Sequence, residues 1–575
     1  MSVDRATVAR VLDQIASHLE LKGDNPFKIR AFRMGARTVS GMAGEPAQWL
    51  GDGTLEQVSG IGAGIQAVIR DLVLAGRSTT LDELREQVPP GLVEMLRISG
   101  LGVAKVRQIH DRLQIESIPE LEAAARDGRL AALPGFGAKT ADNVLKSVAR
   151  LRQATSFRLM HHAADEAQQL ASGFERLAGV SRAIPAGDVR RGLELVGDLV
   201  MVLVAERPAE EVLRDIAKLP GVDEFGGHDE RRATVRFAGG ESVQVIVTPP
   251  SNLGVVLLQA TGSAAHLQGL AETAAAAGYT FSGVALWRGS EFVPTPDEAD
   301  VYRILGLTAV PPELREGRGE IEAARTRLPA LIVREDLQGL IHCHTSYSDG
   351  SSSVRDLARI CGDAGYRYVG VTDHSGTAAY VGGLTEDDIR AQWRDIDDAN
   401  AVGAGARVLK GIEADILADG RLGFPDALLD GFDFVIASVH NRFEMNRDQM
   451  TERILRVMDQ PAVTILGHLT GRLLLSRDPY QLDTDRIFAK AAQTGVAIEI
   501  NADPQRLDLD WRLVRVAKEA GVMISIGADA HSAAGLDNVN YGVTIARKGW
   551  LTAADVLNAR PVDDFLAFAR RRRQR

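Results

Sequence analysis

The sequence predicts a multidomain α/β protein that opens with helical modules and ends in a closed parallel barrel of β/α units. Three observations carry this expectation. A chain of 575 residues is longer than one hydrophobic core organises, so it divides into several domains. Between residues 58 and 140, three Gly-apolar-Gly turns each open a helical pattern. Beyond about residue 336, seven short apolar strands alternate with helices, and six of them end in a His or a Glu.

Composition narrows the class. A hydrophobic content of 45% and a charged content of 25% are those of a globular chain. No apolar run reaches the ~18 residues of a membrane span, and MSVDRATVARVLDQ at the N-terminus lacks a signal-peptide core. Two cysteines, Cys343 and Cys361, exclude a disulfide framework and a cysteine-based zinc site. A reducing cytoplasm is therefore the expected compartment. The net charge of -11 is unevenly spread: residues 1–160 hold 21 Lys/Arg against 18 Asp/Glu, and the remainder 45 against 59. The first part suits phosphate and the rest suits cations.

The three turns are VSGIGAG (58–64), ISGLG (98–102) and LPGFGAK (133–139). Two glycines around one apolar residue allow a tight hairpin whose backbone N–H groups point outward just before a helix N-terminus. Gly60, Gly62, Gly64, Gly100, Gly102, Gly135 and Gly137, with Lys139, are thus candidate phosphate-backbone contacts. One such turn more commonly just joins two helices. Three in succession form a helix-hairpin-helix pattern, which grips a nucleic-acid backbone without reading bases. Upstream, NPFKIRAFRMGAR (25–37) reads as a basic amphipathic helix carrying Phe27 and Phe32.

In the C-terminal region the strands end IHCH344, VGVTDH374, VLKGIE413, FVIASVH440, VTILGH468, VAIEIN501 and ISIGADAH531. The spacing predicts a barrel with its chemistry at the C-terminal strand ends. All six histidines beyond residue 300, namely His342, His344, His374, His440, His468 and His531, fall at those ends, joined by Asp349, Glu413 and Asp529. The period of two puts His342 and His344 on one face and turns Cys343 toward the core. Imidazoles plus carboxylates suit Zn, Mn or Fe, and nine such groups imply two or three ions. A cluster of that kind supports phosphoester hydrolysis.

These motifs, HCHTSYSDG (342–350), TDHS (372–375), GIEADIL (411–417), SVH (438–440), GH (467–468) and GADAHS (527–532), resemble the PHP domain. The resemblance implies a distorted (β/α)7 barrel whose trinuclear metal site is held by the nine residues above. Gly423 departs from the pattern at a position that is not a ligand.

With helix-hairpin-helix modules in front and PHP motifs behind, the middle is similar to bacterial family X DNA polymerases. The matching stretches are IPAGDVRRGLELVGDLVMVL (184–203), LLQATGSAAH (257–266) and VYRILGLTAVPPELREGRGEIEAA (301–324). The implied division is 1–85 and 86–156 as helical DNA-binding and fingers-like domains, and 157–250 as a nucleotidyltransferase-like α+β palm. A thumb (251–318), a linker (319–335) and the barrel (336–575) follow. The family holds two Mg ions with an Asp-x-Asp pair and a third Asp. Here those positions are Asp198, Val200 and Gln244, while the family's Arg pair remains as Arg190 and Arg191. One carboxylate does not fix two ions, so polymerase activity is expected to be absent or very weak, with Asp188 or Glu194 as possible substitutes. The helix after the first hairpin has no Lys, so a Schiff-base lyase is not carried over.

The expected function is DNA repair through metal-dependent 3′→5′ exonuclease action, on gapped or 3′-ended DNA, by a protein for which a monomer is favoured. Retained gap-filling synthesis with dNTPs through Asp198, a DNA end-binding scaffold with structural metals, and a small-molecule phosphatase remain open. Arg442 and Arg472 are candidate phosphate contacts or surface residues.

Overall fold

A computed structural model describes residues 5–41, 46–51, 53, 55, 58, 61–98, 100–238, 240–376, 383–403 and 405–574. The chain divides into two compact units, Met1–Thr155 and Ser156–Arg575.

The first unit is helical and holds two cores. Helices Arg5–Lys22, Pro26–Gly41, Ala63–Ala75 and Thr79–Gln87 close over Leu12, Ile15, Leu19, Val68 and Ile69. Met95, Val106, Ile109, Leu121, Val144 and Val148 form the second core, inside the helices that follow. Pro26–Gly41 is the predicted basic amphipathic helix: Phe32 is buried, whereas Phe27 is 75% exposed with the Arg30 guanidinium over its ring.

The second unit begins with a five-stranded sheet: β1 (Val180–Pro185), β2 (Leu199–Ala205), β3 (Val222–Gly227), β4 (Arg232–Phe237) and β5 (Ser242–Thr248). Its order is β1-β2-β5-β4-β3, with β2 and β5 parallel. The unbroken apolar run of β2 follows from cover on both faces. Leu199, Met201 and Leu203 face the helix Met160–Phe174, and Val202 and Val204 face the helix Leu253–Thr261. A smaller meander follows, β6 (Tyr279–Ser282), β7 (Ala285–Arg288) and β8 (Glu291–Val293), packed with the helices Leu253–Thr261, Ala264–Ala276 and Glu298–Ile304 around Leu258, Leu270, Leu286 and Tyr302.

The predicted parallel barrel is present. Its strands are β9 (Gly339–Cys343), β10 (Tyr368–Val371), β11 (Arg407–Asp415), β12 (Phe434–Ser438), β13 (Ile465–Leu466), β14 (Ala497–Asn501) and β15 (Ile524–Ala530). They pair in chain order and close β15 onto β9. Rings of Tyr368, Phe434 and Phe565 plug the N-terminal end, with Phe434 and Phe565 centred 5.3 Å apart. Gly370 and Gly411 make room for the plug, since a Cβ there would lie 2.5 and 2.6 Å from Phe434 Cζ. With the floor filled, the polar side chains gather at the other end.

Charged groups buried in the second unit tie sheet, meander and barrel together. Glu194, next to β2, accepts hydrogen bonds from Trp511 Nε1 (3.0 Å) and Arg512 Nη1 (2.8 Å) of the barrel. Lys548, 2% exposed, donates to the Arg191 carbonyl, the Glu313 carbonyl and Glu316 Oε1 at 3.0, 3.3 and 2.7 Å. The Trp511 ring lies under Arg318, Arg512 and Lys548. Lys548→Met would leave Glu316 and two carbonyls without that donor, a loss on the order of 2–3 kcal/mol. A lowered Tm by calorimetry is the expected result, and an unchanged Tm would show that the seam does not rely on this charge.

Candidate metal centre

Every strand of the barrel but β14 delivers one or two of the nine sequence-predicted residues to its C-terminal end. His342 lies in β9 with His344 just beyond, Glu413 lies in β11, and Asp529 lies in β15 with His531 beyond. His374, His440 and His468 follow β10, β12 and β13 within three residues. Three of these positions have left-handed backbone: His342 (φ 60), His468 (φ 24) and Asp529 (φ 49). Non-glycine residues hold such angles at a cost of about 1–3 kcal/mol each, paid where the surroundings over-determine them. β9 also slips register against both neighbours just before Cys343. Even with this irregularity, both imidazoles enter the mouth and Cys343 packs in the outer core with Leu357 and Cys361, as the period of two predicts.

The nine side chains form overlapping groups whose ligand-type atoms lie within 4.8 Å of one another. Nearest the opening are His344, Asp349, His374 and His531. Deeper lie His342 with Glu413 and His468, His342 with His344 and Asp529, and His374 with Glu413 and His440. Representative separations are 3.4 Å (His342 Nε2 to Glu413 Oε1), 3.3 Å (His344 Nε2 to Asp529 Oδ1), 3.2 Å (His440 Nε2 to Glu413 Oε1) and 3.4 Å (His531 Nε2 to Asp349 Oδ2). Two atoms each ~2.0–2.1 Å from a shared ion at a tetrahedral angle lie roughly 3.3 Å apart, so the spacing fits ligands around common centres.

Burial makes the same case. His342 Nε2, both ring nitrogens of His344, His374 Nδ1, Glu413 Oε2 and His468 Nδ1 are buried without a hydrogen-bond partner. His374 Nδ1 lies 2.9 Å from Glu413 Oε2 but without hydrogen-bond alignment. Orphaned lone pairs are costly in a protein interior, and here they converge, so the donor set suits divalent cations. Burial opposes ionisation of Asp349, Glu413 and Asp529, yet the facing imidazoles outweigh it and hold all three carboxyls below the usual carboxylate range. Burial pushes His344 and His468 down, whereas at His342, His374, His440 and His531 the facing carboxylates outweigh burial and hold the imidazoles up.

A supporting layer escaped the sequence reading. Glu499 Oε1 takes the His342 Nδ1 contact at 2.5 Å, while its Oε2 accepts from the His468 backbone N–H at 2.7 Å. Asp415 Oδ1 contacts His440 Nδ1 at 2.6 Å, and Asn501 Nδ2 donates to Asp529 Oδ2 at 2.9 Å. These contacts aim the Nε2 atoms of His342 and His440 into the cluster. Asp373 accepts from Thr345, Ser348 and Gln392 and so fixes the loop bearing Asp349. A signal existed: Glu499 and Asn501 alternate in a fully buried strand, and Asp415 shares a face with Glu413. Gly527 is the counterpart of Glu499, because a Cβ there would lie 1.9 Å from Glu499 Oε1.

The other candidate sites are placed as follows. Gly62 and Gly102 stand at the N-caps of Ala63–Ala75 and Val103–Leu113, and Gly100 (φ 84) and Gly135 (φ 80) need a left-handed turn. A Cβ on Gly62, Gly64, Gly100, Gly102, Gly135 or Gly137 would meet nothing within 4 Å, so these turns face open space. Lys139 is exposed in the helix that follows the third turn, and Gly60 lies outside the described residues.

In the sheet, Val200 pairs with Gln244, and both line a cleft of about 570 Å³ with Ile246 and Phe281. Asp198 is exposed and accepts one hydrogen bond, from Gln244 at 3.4 Å. Neither possible substitute is free: Asp188 pairs with Arg191 at 2.5 Å, and Glu194 is buried against the barrel. Arg190 is held by Glu298 and Thr261, and Arg191 by the Thr261 carbonyl, Asp188 and Glu316. Arg472, weighed as a phosphate contact, is instead buried on Asp510 and the carbonyls of Arg506 and Leu507. Arg442 is exposed.

Glu499→Gln should weaken divalent-ion affinity roughly ten- to a hundredfold, because His342 loses the carboxylate that orients it. Competition with a chelating indicator measures this; wild-type affinity would show that Glu499 does not set the imidazole.

Four sequence families match the chain: Helix-hairpin-helix domain (residues 4–78), SAM-like Helix-hairpin-helix tandem (92–150), DNA polymerase beta thumb (256–316) and PHP domain (341–503). The DNA polymerase/3′-5′ exonuclease PolX of Bacillus subtilis (strain 168) is 34% identical over 98% of this chain and 99% of its own length. A probable phosphatase of Thermoanaerobacter sp. (strain X514) is 28% identical over 38% of this chain and 88% of its own. Another, of Caldanaerobacter subterraneus subsp. tengcongensis, is 32% identical over 22% and 52%. Helical hairpins, a polymerase-type thumb and a histidine-lined PHP barrel occur here in one chain, alignable almost end to end with a PolX protein, and the chain belongs to the PolX family of DNA polymerases with a C-terminal PHP domain.

Proposed function

We propose that this protein binds DNA and hydrolyses its phosphodiesters from the 3′ end in the PHP barrel, while its palm has lost nucleotidyl transfer. The observation that carries this reading is the contrast between two sites. Nine ligand-type side chains converge at the barrel mouth, whereas in the sheet the exposed Asp198 meets the Gln244 amide and Val200 pairs with Gln244. In this reading residues 1–85 and 86–156 are the DNA-binding helical domains, 157–250 the palm, 251–318 the thumb, 319–335 the linker and 336–575 the barrel. The name of the Bacillus subtilis relative couples polymerase with 3′-5′ exonuclease, and the probable phosphatases align with part of this chain, which favours phosphoester chemistry.

His342, His344, Asp349, His374, Glu413, His440, His468, Asp529 and His531 would hold two or three divalent ions, Zn, Mn or Fe by ligand type. Such ions lower the pKa of a bound water and neutralise phosphate charge. The chain's own work is positional. Glu499 and Asp415 orient two imidazoles, Asp373 fixes the Asp349 loop, and the exposed position of Asp349 and His531 leaves the mouth open to a strand end. Gly60, Gly62, Gly64, Gly100, Gly102, Gly135, Gly137 and Lys139 would hold the DNA backbone through N–H groups and charge. Among the described residues no helix is long and apolar enough to cross a membrane, and the reading places the protein in the cytoplasm.

The double variant His342→Ala/His344→Ala should abolish Mn-stimulated release of nucleotides from a 3′ end while leaving DNA binding intact. Undiminished release would sink the proposal. On gapped DNA with dNTPs, primer extension is expected to be absent or trace with Mg and with Mn. Robust incorporation that disappears in Asp198→Ala would instead establish gap filling by the palm.

A further inference from the structure

The buried arginines of the second unit are heavily hydrogen-bonded. Arg453 donates to the carbonyls of Ile416, Leu417 and Asn441, Arg472 to those of Arg506 and Leu507, and Arg315 to Glu298 and the Val310 carbonyl. Arg506 differs. Its side chain is 19% exposed and its one ion pair among the described residues is Nε to Asp529 Oδ2 at 3.5 Å. No described residue accepts a hydrogen bond from its guanidinium, although that group carries five donors. The charge nevertheless lies close enough to Glu413 and His468 to act on both.

The backbone around Arg506 is firmly held. Asn501 N–H donates to the Asp508 carbonyl at 2.5 Å, Thr470 N–H to Asp508 Oδ2 at 2.9 Å, and Arg472 Nε to the Arg506 carbonyl at 2.9 Å. Arg506 N–H itself donates to the Asp503 carbonyl at 2.7 Å. A firmly held loop thus presents a planar cation, partly open to solvent and without a hydrogen-bond acceptor among the described residues, at the edge of an acidic cluster. The ligand chemistry that satisfies it is an oxyanion with two adjacent oxygens, which a guanidinium matches in a way an ammonium does not.

We propose that Arg506 binds a non-bridging oxygen of the phosphodiester that the barrel cleaves. This rests on the nuclease reading above. Hydrolysis there adds a water oxygen to phosphorus and breaks the P–O3′ bond. The 3′ oxygen leaves with the bonding pair and takes a proton, giving a strand one nucleotide shorter with a 3′ hydroxyl and a nucleoside 5′-monophosphate. Arg506 opposes the negative charge that gathers on the phosphoryl oxygens during that exchange. The competing role is a counter-ion that merely steadies Asp529.

The test uses the full chain, wild type against Arg506→Gln and Arg506→Lys, with three readouts. These are metal content by elemental analysis after Mn loading, affinity for inorganic phosphate by calorimetry, and kcat/KM on a 3′-ended oligonucleotide. Arg506→Gln should keep its metal, bind phosphate roughly ten- to a hundredfold more weakly, and lose kcat/KM by at least as much. Arg506→Lys, which keeps the charge beside Asp529 and serves where the Gln variant does not fold, should show a smaller loss in both affinity and kcat/KM. Metal content falling in step with activity would overturn the proposal in favour of the counter-ion, and wild-type phosphate affinity in both variants would overturn it outright. A wild type that binds phosphate through Arg506 yet releases no nucleotide would overturn the nuclease reading and leave the anion contact standing.

Discussion

One buried carboxylate organises the barrel mouth. Glu413 lies within 4 Å of five imidazoles, those of His342, His344, His374, His440 and His468. A carboxylate 1% exposed is costly unless opposite charge or donors surround it, and buried imidazole nitrogens without partners are costly as well. Neither group is tolerable alone, and a shared cationic centre resolves both. The closed barrel is the device that brings them together, since these residues come from five different strand ends. The left-handed angles at His342, His468 and Asp529 and the bare Cα of Gly527 belong to the same requirement, because each makes room for or aims a side chain of this cluster.

The middle of the chain shows charged groups engaged in architecture. Glu194 is buried against Trp511 and Arg512, and Asp188 neutralises Arg191. Arg190 and Arg191 are likewise engaged by Glu298 and Glu316, and Lys548 joins that network from the barrel. The cleft beside Gln244 is lined in part by the apolar Val200 and Ile246. Sheet, meander and barrel therefore share buried charges. The unit carrying the candidate metal centre is braced by these buried pairs.

Much of this was legible in the sequence because strong local patterns announce it. The seven apolar runs predicted the strands, the period of two placed His342 and His344 inward with Cys343 outward, and the histidines at strand ends marked the mouth. The supporting residues were less legible. Glu499, Asp415 and Asn501 lie in strands, where one acid or amide among apolar residues does not reveal which imidazole it meets. Arg472 looked like a phosphate contact because it follows a strand end, but its partners are carbonyls on a loop more than thirty residues away.

In the sequence by itself, residue type and spacing were enough to read the order of the barrel strands, the chemistry of the nine cluster residues and the repeated glycine turns. Short-range geometry suffices for each of these. Tertiary structure alone decided which lone pairs are left unsatisfied, which arginines are already paired, and that Arg506 is held at the mouth without a hydrogen-bond acceptor among the described residues. Such facts depend on burial and on partners distant in the chain, and neither exists until the barrel closes and the seam around Lys548 forms.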